Sequence, residues 1–135
     1  MQKKLLVLSC GLALLAIVAV CCTRKKDNKP VYPTACGFSL AGSYTGNDVC
    51  PSSGPTSYPC IITAVDSTRI NFSNLYGTIV QADVNCATNS LTLIPITMGG
   101  FSISGTGTYT ANTIIINWNG GFAGTPMSCT TTFTR

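Results

Sequence analysis

From residue 40 onward, apolar and polar positions alternate with a period of two, and Gly, Pro, Asn or Asp breaks the alternation at short intervals. The pattern is cleanest over 101–110. Phe101, Ile103, Gly105, Gly107 and Tyr109 fall on one face, and Ser102, Ser104, Thr106, Thr108 and Thr110 on the other. That is a half-buried strand with a hydroxylated, solvated side. Ile114, Ile116 and Trp118 continue the apolar face in the next segment. The last segment sets Met127, Cys129, Thr131 and Phe133 against Ser128, Thr130, Thr132 and Thr134. No stretch beyond residue 40 sustains a helical period. Eight strands are expected, near 40–47, 58–65, 68–73, 78–86, 90–97, 101–110, 112–119 and 127–134. Short turns such as Thr110-Ala111-Asn112 and Met98-Gly99-Gly100 favour an up-and-down meander, which closes most economically as a barrel. The expected fold class is therefore all-β: one small antiparallel eight-stranded meander or barrel behind an N-terminal signal segment.

The first thirty residues follow a different pattern. Lys3 and Lys4 precede an apolar run from Leu5 to Val20, and Cys21-Cys22 follows at once. A basic start, an apolar middle and small residues at its end make a secretory signal. The run Ala19-Val20-Cys21-Cys22 resembles a bacterial lipobox, whose cysteine becomes the lipidated first residue of the mature protein. The residue before that cysteine is small in such motifs. Cys22, preceded by Cys21, is the expected lipidation site, with Cys21, preceded by branched Val20, as runner-up. Ordinary cleavage near Ala19 without a lipid stays open, as does an uncleaved anchor, since the apolar run approaches the ~20 residues that span a bilayer. The segments expected are a lipoprotein signal peptide at 1–21, a basic flexible tether at 22–35 and the β domain at 36–135. The tether is polar and Pro-punctuated, and Arg24, Lys25, Lys26 and Lys29 suit it to anionic headgroups.

Eight cysteines in 135 residues point to an oxidising compartment, outside the cytoplasm on the periplasmic side or at the outer membrane. Five lie in the domain: Cys36, Cys50, Cys60, Cys86 and Cys129. In an up-and-down meander Cys50 and Cys129 both fall at the top, as neighbours only if the barrel closes, while Cys36 and Cys86 both fall at the bottom. Cys50–Cys129 and Cys36–Cys86 are the pairs expected, with Cys60 left over. No C-x-x-C pair and no His is available for a metal.

The positive net charge of +4 resides in the first thirty residues, and the rest of the chain is close to neutral. The domain itself carries Arg69 and Arg135 against Asp48, Asp66 and Asp83, so no basic footprint for nucleic acid exists. Absence of His and Glu removes the usual bases and paired carboxylates, and the chain is expected not to be an enzyme and to need no cofactor. The three aspartates fit turns or solvated strand ends.

The segments Gly42 to Cys50 (GSYTGNDVC), FSISGTGTYT and SCTTTFTR resemble small exported lipoproteins of Bacteroidetes whose single domain is lipocalin-like. Such a likeness implies a lipid-anchored envelope protein that takes a small apolar ligand inside a barrel. The alternative is a non-enzymatic module with a filled core that meets a protein partner. Acidic residues follow the lipidated cysteine in surface-displayed members of that group, so the basic tether here argues against surface display. In lipocalins a Gly-x-Trp in the first strand is stacked by an Arg at the end of the last. Gly42-Ser43-Tyr44 and Arg135 are the matching positions, Tyr44 standing for the Trp. The domain is shorter than a typical lipocalin, and Gly105 and Gly107 favour tight closure. Candidate pocket-lining residues are Tyr44, Phe101, Ile103, Tyr109, Ile114, Ile116 and Trp118. Asp66-Ser67-Thr68 resembles an O-glycosylation site of exported Bacteroidetes proteins, with Ser67 the acceptor.

Overall fold

The computed structural model describes Cys36 and residues 39–51, 53–122 and 124–135. The expected signal peptide, both lipidation candidates (Cys21 and Cys22) and the tether lie outside the described residues.

Nine strands follow one another: β1 (Gly42–Cys50), β2 (Ser53–Ala64), β3 (Arg69–Leu75), β4 (Thr78–Asn85), β5 (Ser90–Leu93), β6 (Ile96–Met98), β7 (Phe101–Tyr109), β8 (Thr113–Phe122) and β9 (Thr125–Thr134). Each pairs antiparallel with its sequence neighbour except β5 and β6, and β1 pairs with β9 while β5 pairs with β7. The sheet thereby closes as an eight-stranded antiparallel barrel.

The count differs from eight because the segment expected at 90–97 is broken. β5 pairs with β7 through Ser90↔Thr108 to Thr92↔Thr106, and β6 pairs with the same strand through Ile96↔Ile103 to Met98↔Phe101. The register slips by one residue between them, at Ile94-Pro95. Pro95 has no N–H to give a ladder, whereas Ile94 still donates to Gln81 O at 2.8 Å. The two pieces thus fill one position in the barrel wall.

Alternation puts Trp118, Phe72, Phe133, Leu40, Ile62, Ile70, Leu75, Leu91 and their neighbours inside, essentially without exposure. Burying each such side chain contributes about 1.5–3 kcal/mol. Gly105 and Gly107 lie where β7 runs hard against β8. A Cβ on Gly105 would stand 2.7 Å from Trp118 Cα, and one on Gly107 would stand 3.2 Å from Ile116 Cα. A side chain at either would push the strands apart, so glycine permits the bend that closes the wall.

The chain enters at one end, and its entry segment closes that end. Leu40 is fully buried, and Tyr44 Oη donates to its carbonyl at 3.0 Å. Arg135 lies over the Tyr44 ring, 5.3 Å from the centroid, and donates to Ser39 O (3.0 Å), Ala41 O (3.3 Å) and Ala111 O. Continuing the β1–β9 register from Thr45↔Thr134 brings these two side chains together. Cys36–Cys86 staples the same end, and Cys50–Cys129 ties β1 to β9 toward the other; both are the pairs expected. Disulfides of this kind persist outside the cytoplasm. Cys60 is free and buried, and burial pushes its thiol pKa up, which makes it a poor nucleophile.

Cys50–Cys129 spans 79 residues, so in the chain-entropy model it stabilises by about 4 kcal/mol. Replacing both cysteines by Ala should lower the unfolding free energy by that amount, seen as a lower urea midpoint, while Cys36–Cys86 stays closed. An unchanged midpoint would show that the cross-link constrains nothing the unfolded chain is free to do.

Candidate ligand-binding mouth

The end opposite the chain entry is formed by the β3–β4, β6–β7 and β8–β9 turns. At the first of these, Leu75 pairs with Thr78 across a two-residue loop, Tyr76-Gly77. Both loop residues have positive φ, 51° and 76°, the geometry of a type I′ turn, which ordinarily takes Asn-Gly. Asn74 sets the turn from one residue before it. Its Oδ1 accepts from Gly77 N at 3.0 Å, and its Nδ2 donates to Pro59 O at 3.2 Å. A left-handed Tyr costs about 1–2 kcal/mol. The ring offsets this by lying on Trp118 (centroids 5.1 Å) and stacking on Phe101 (6.3 Å, 13° between planes), contacts of about 0.5–1.5 kcal/mol each.

Tyr76, 38% exposed, stands between two clefts. One of about 340 Å³ is lined by Asp48, Thr56, Tyr58, Asn74, Tyr76 and Gly77. The other, about 560 Å³, is walled by Tyr76, Phe101, Phe122, Thr125, Pro126 and Met127. Tyr76 is the one residue that lines both.

Asp48 is the unexpected member. It was expected at a turn or solvated strand end, yet it is 2% exposed. β1 runs on to Cys50, so the inward set Tyr44, Gly46, Asp48, Cys50 carries the carboxylate to the inner face. Around it runs a polar chain. Trp118 Nε1 donates to Thr131 Oγ1 at 2.9 Å, Thr131 Oγ1 donates to Asp48 Oδ1, and Tyr58 Oη donates to the same oxygen at 2.8 Å. Both donors meet Oδ1. Oδ2 is buried with no hydrogen-bond partner. Gly46 makes the arrangement possible, because a Cβ there would stand 2.8 Å from the Tyr58 ring and 2.8 Å from Phe133. Bare backbone lets Tyr58 lie across β1 and reach Asp48. Burial first, and the Asp48 acceptor second, hold the Tyr58 phenol far above its ordinary pKa of 10.0.

The residues expected to line a pocket divide. Tyr44, Ile103, Tyr109, Ile114, Ile116 and Trp118 are buried in the core, and Phe101, half-buried, reaches an open cleft. Tyr44 and Tyr109 belong to the entry end, where Tyr109 Oη contacts Cys36 Sγ (3.2 Å) and Asn85 O (3.2 Å). Ser67 is exposed at the entry end, far from the mouth in the fold. Its neighbour Asp66 accepts from Thr68 N at 2.7 Å, a closed Asx-turn that holds the Asp66 carboxyl below its usual range.

No family model and no curated protein matches the chain. Solved structures do, among them two barrels. EF1p2_mFAP2b, determined bound to DFHBI, superposes with a TM-score of 0.53 at 13% identity, over 71% of this chain and 93% of that one. A redesigned beta barrel, b11L5F_LGL, gives 0.52 at 9% identity, over 78% and 96%. The likeness is one of fold.

Tyr58 supplies a pH test. Its folded pKa lies above the unfolded value, so its contribution is complete below about pH 10 and is lost as pH rises above that, toward the folded pKa. Tyr44 and Tyr109 shift in the same direction. Urea unfolding at about pH 8 and about pH 11 should show wild type losing stability, and Tyr58→Phe losing less of it. Equal losses would place the alkaline sensitivity elsewhere.

Proposed function

We propose that the chain is a small-ligand-binding barrel, exported and held at the cell envelope by a lipid on Cys22, with its binding site at the Tyr76 end. The observation that carries the binding reading is the mouth itself: two clefts share Tyr76, and the smaller is lined by a buried carboxylate with an unused oxygen. A barrel whose only task was to be solid would do better with an apolar side chain in place of Asp48. Displacing the Tyr76 ring would join the clefts into one aromatic-walled site, within the size range of small-molecule pockets. That the superposed EF1p2_mFAP2b barrel was determined bound to DFHBI adds support at the level of architecture. Cys36 lies at the closed end, so a tether from Cys22 would join the barrel on the side opposite the mouth. We read the protein as a binder rather than an enzyme, since the sequence has no His and no Glu.

A second reading is a protein-interaction module. The filled interior and the exposed Phe122 (65%) and Met98 (59%) near the mouth favour it.

Native mass spectrometry of the full chain, purified unreduced from a bacterial membrane, tests the binding reading. A retained small organic compound is expected. Tyr76→Ala should also raise acrylamide quenching of Trp118, the single tryptophan, severalfold by unroofing it. A bare mass, with unchanged Trp118 emission across a panel of apolar and amphipathic compounds, would leave the interaction module as the better account.

A further inference from the structure

We infer that the mouth selects a small organic cation, a protonated amine on an aromatic or otherwise apolar body, with the ammonium seated on Asp48 Oδ2. The inference rests on the mouth being a ligand site and names the ligand's chemistry.

Charge accounting leads to it. Among the described residues the bases are Arg69 and Arg135. Arg69 pairs with Asp83 at 2.8 Å on the outside of the β3–β4 ladder. Arg135 lies over Tyr44 at the opposite end of the barrel. Neither reaches Asp48, so this nearly fully buried carboxylate has no cationic partner among the described residues. Carrying a charge into such surroundings costs several kcal/mol unless it is paired. Thr131 and Tyr58 relieve part of that cost, and both do so through Oδ1. Oδ2 lacks a donor. A ligand bringing N–H and positive charge together supplies both deficits.

The walls agree with this. Asp48 lines the smaller cleft beside Tyr58 and Tyr76, and Tyr76 in turn lies on Trp118 and Phe101. Aromatic faces around an ammonium attract it through the ring quadrupole, and an apolar body would extend into the larger cleft past the displaced Tyr76. An anion in the same place would meet the Asp48 carboxylate with no base to receive it. A neutral alcohol would satisfy Oδ2 as a donor but leave the charge unpaired.

Three compounds of one shape separate these cases: 2-phenylethylammonium, 2-phenylethanol and 3-phenylpropanoate. Binding to the full chain in nanodiscs is read from Trp118 emission excited where the phenyl group does not absorb, and from ligand-observed NMR. The ammonium should bind at least tenfold more tightly than the alcohol, and the propanoate should not bind. In Asp48→Asn the preference should vanish while weak binding of the alcohol persists. Near-UV circular dichroism and intact disulfides would certify that this variant folds. If it does not fold, the wild-type comparison of the three compounds decides alone. Alcohol and ammonium binding equally to wild type, or a preference that survives Asp48→Asn, would overturn the inference and leave the mouth as a ligand site. Failure of all three to bind would remove the ligand site, and the inference with it.

Discussion

Strands β1 and β9 lie at the two ends of the domain sequence and side by side in the barrel, and everything else depends on the register in which they meet. Pairing them ends the sheet's free edges and requires closing almost the whole barrel domain into one loop, which is entropically costly. The register Thr45↔Thr134 to Val49↔Thr130 places three contacts along one seam. Tyr44 meets Arg135 at the closed end, Asp48 meets Thr131 in the interior, and Cys50 meets Cys129 toward the mouth. A slip of one residue would turn Asp48 and Tyr44 outward and Val49 inward. The disulfide and the cation–π contact fix the seam from its two ends, and the polar chain to Trp118 sits between them.

That arrangement also explains how so small a barrel tolerates a buried carboxylate. A domain of this size has about 5–15 kcal/mol of net stability, and an incompletely paired charge takes several of them. Two cross-links, each closing a long loop, add back comparable amounts. Gly46 contributes by omission: the missing side chain is the space in which Tyr58 crosses to Asp48.

Much of this was legible in the sequence. Period-two alternation and short turns sufficed for the meander, and the meander sufficed for both disulfides, because closure makes Cys50 and Cys129 neighbours. The Tyr44–Arg135 contact is the one implied by the resemblance to lipocalins. Three features escaped. Pro95 interrupts a run whose apolar pattern otherwise continues, so the fifth segment looked whole. Asp48 reads as a solvated strand end because its polarity suggests water, although counting in twos from Tyr44 puts it inside with Cys50. Tyr76 sits in a turn, where alternation carries no information. Its role arises from a stack with Trp118 and Phe101, which come from distant parts of the chain.

The staple at the closed end has a mechanical meaning as well. Cys36 is the first described residue, and its partner Cys86 lies in the turn after β4, in the middle of the chain. A pull arriving at Cys36 would, without that bond, reach the barrel through Gly42 and load β1 against both its neighbours. With it, part of that force passes directly into the turn after β4. The seam that carries Asp48 bears correspondingly less of it.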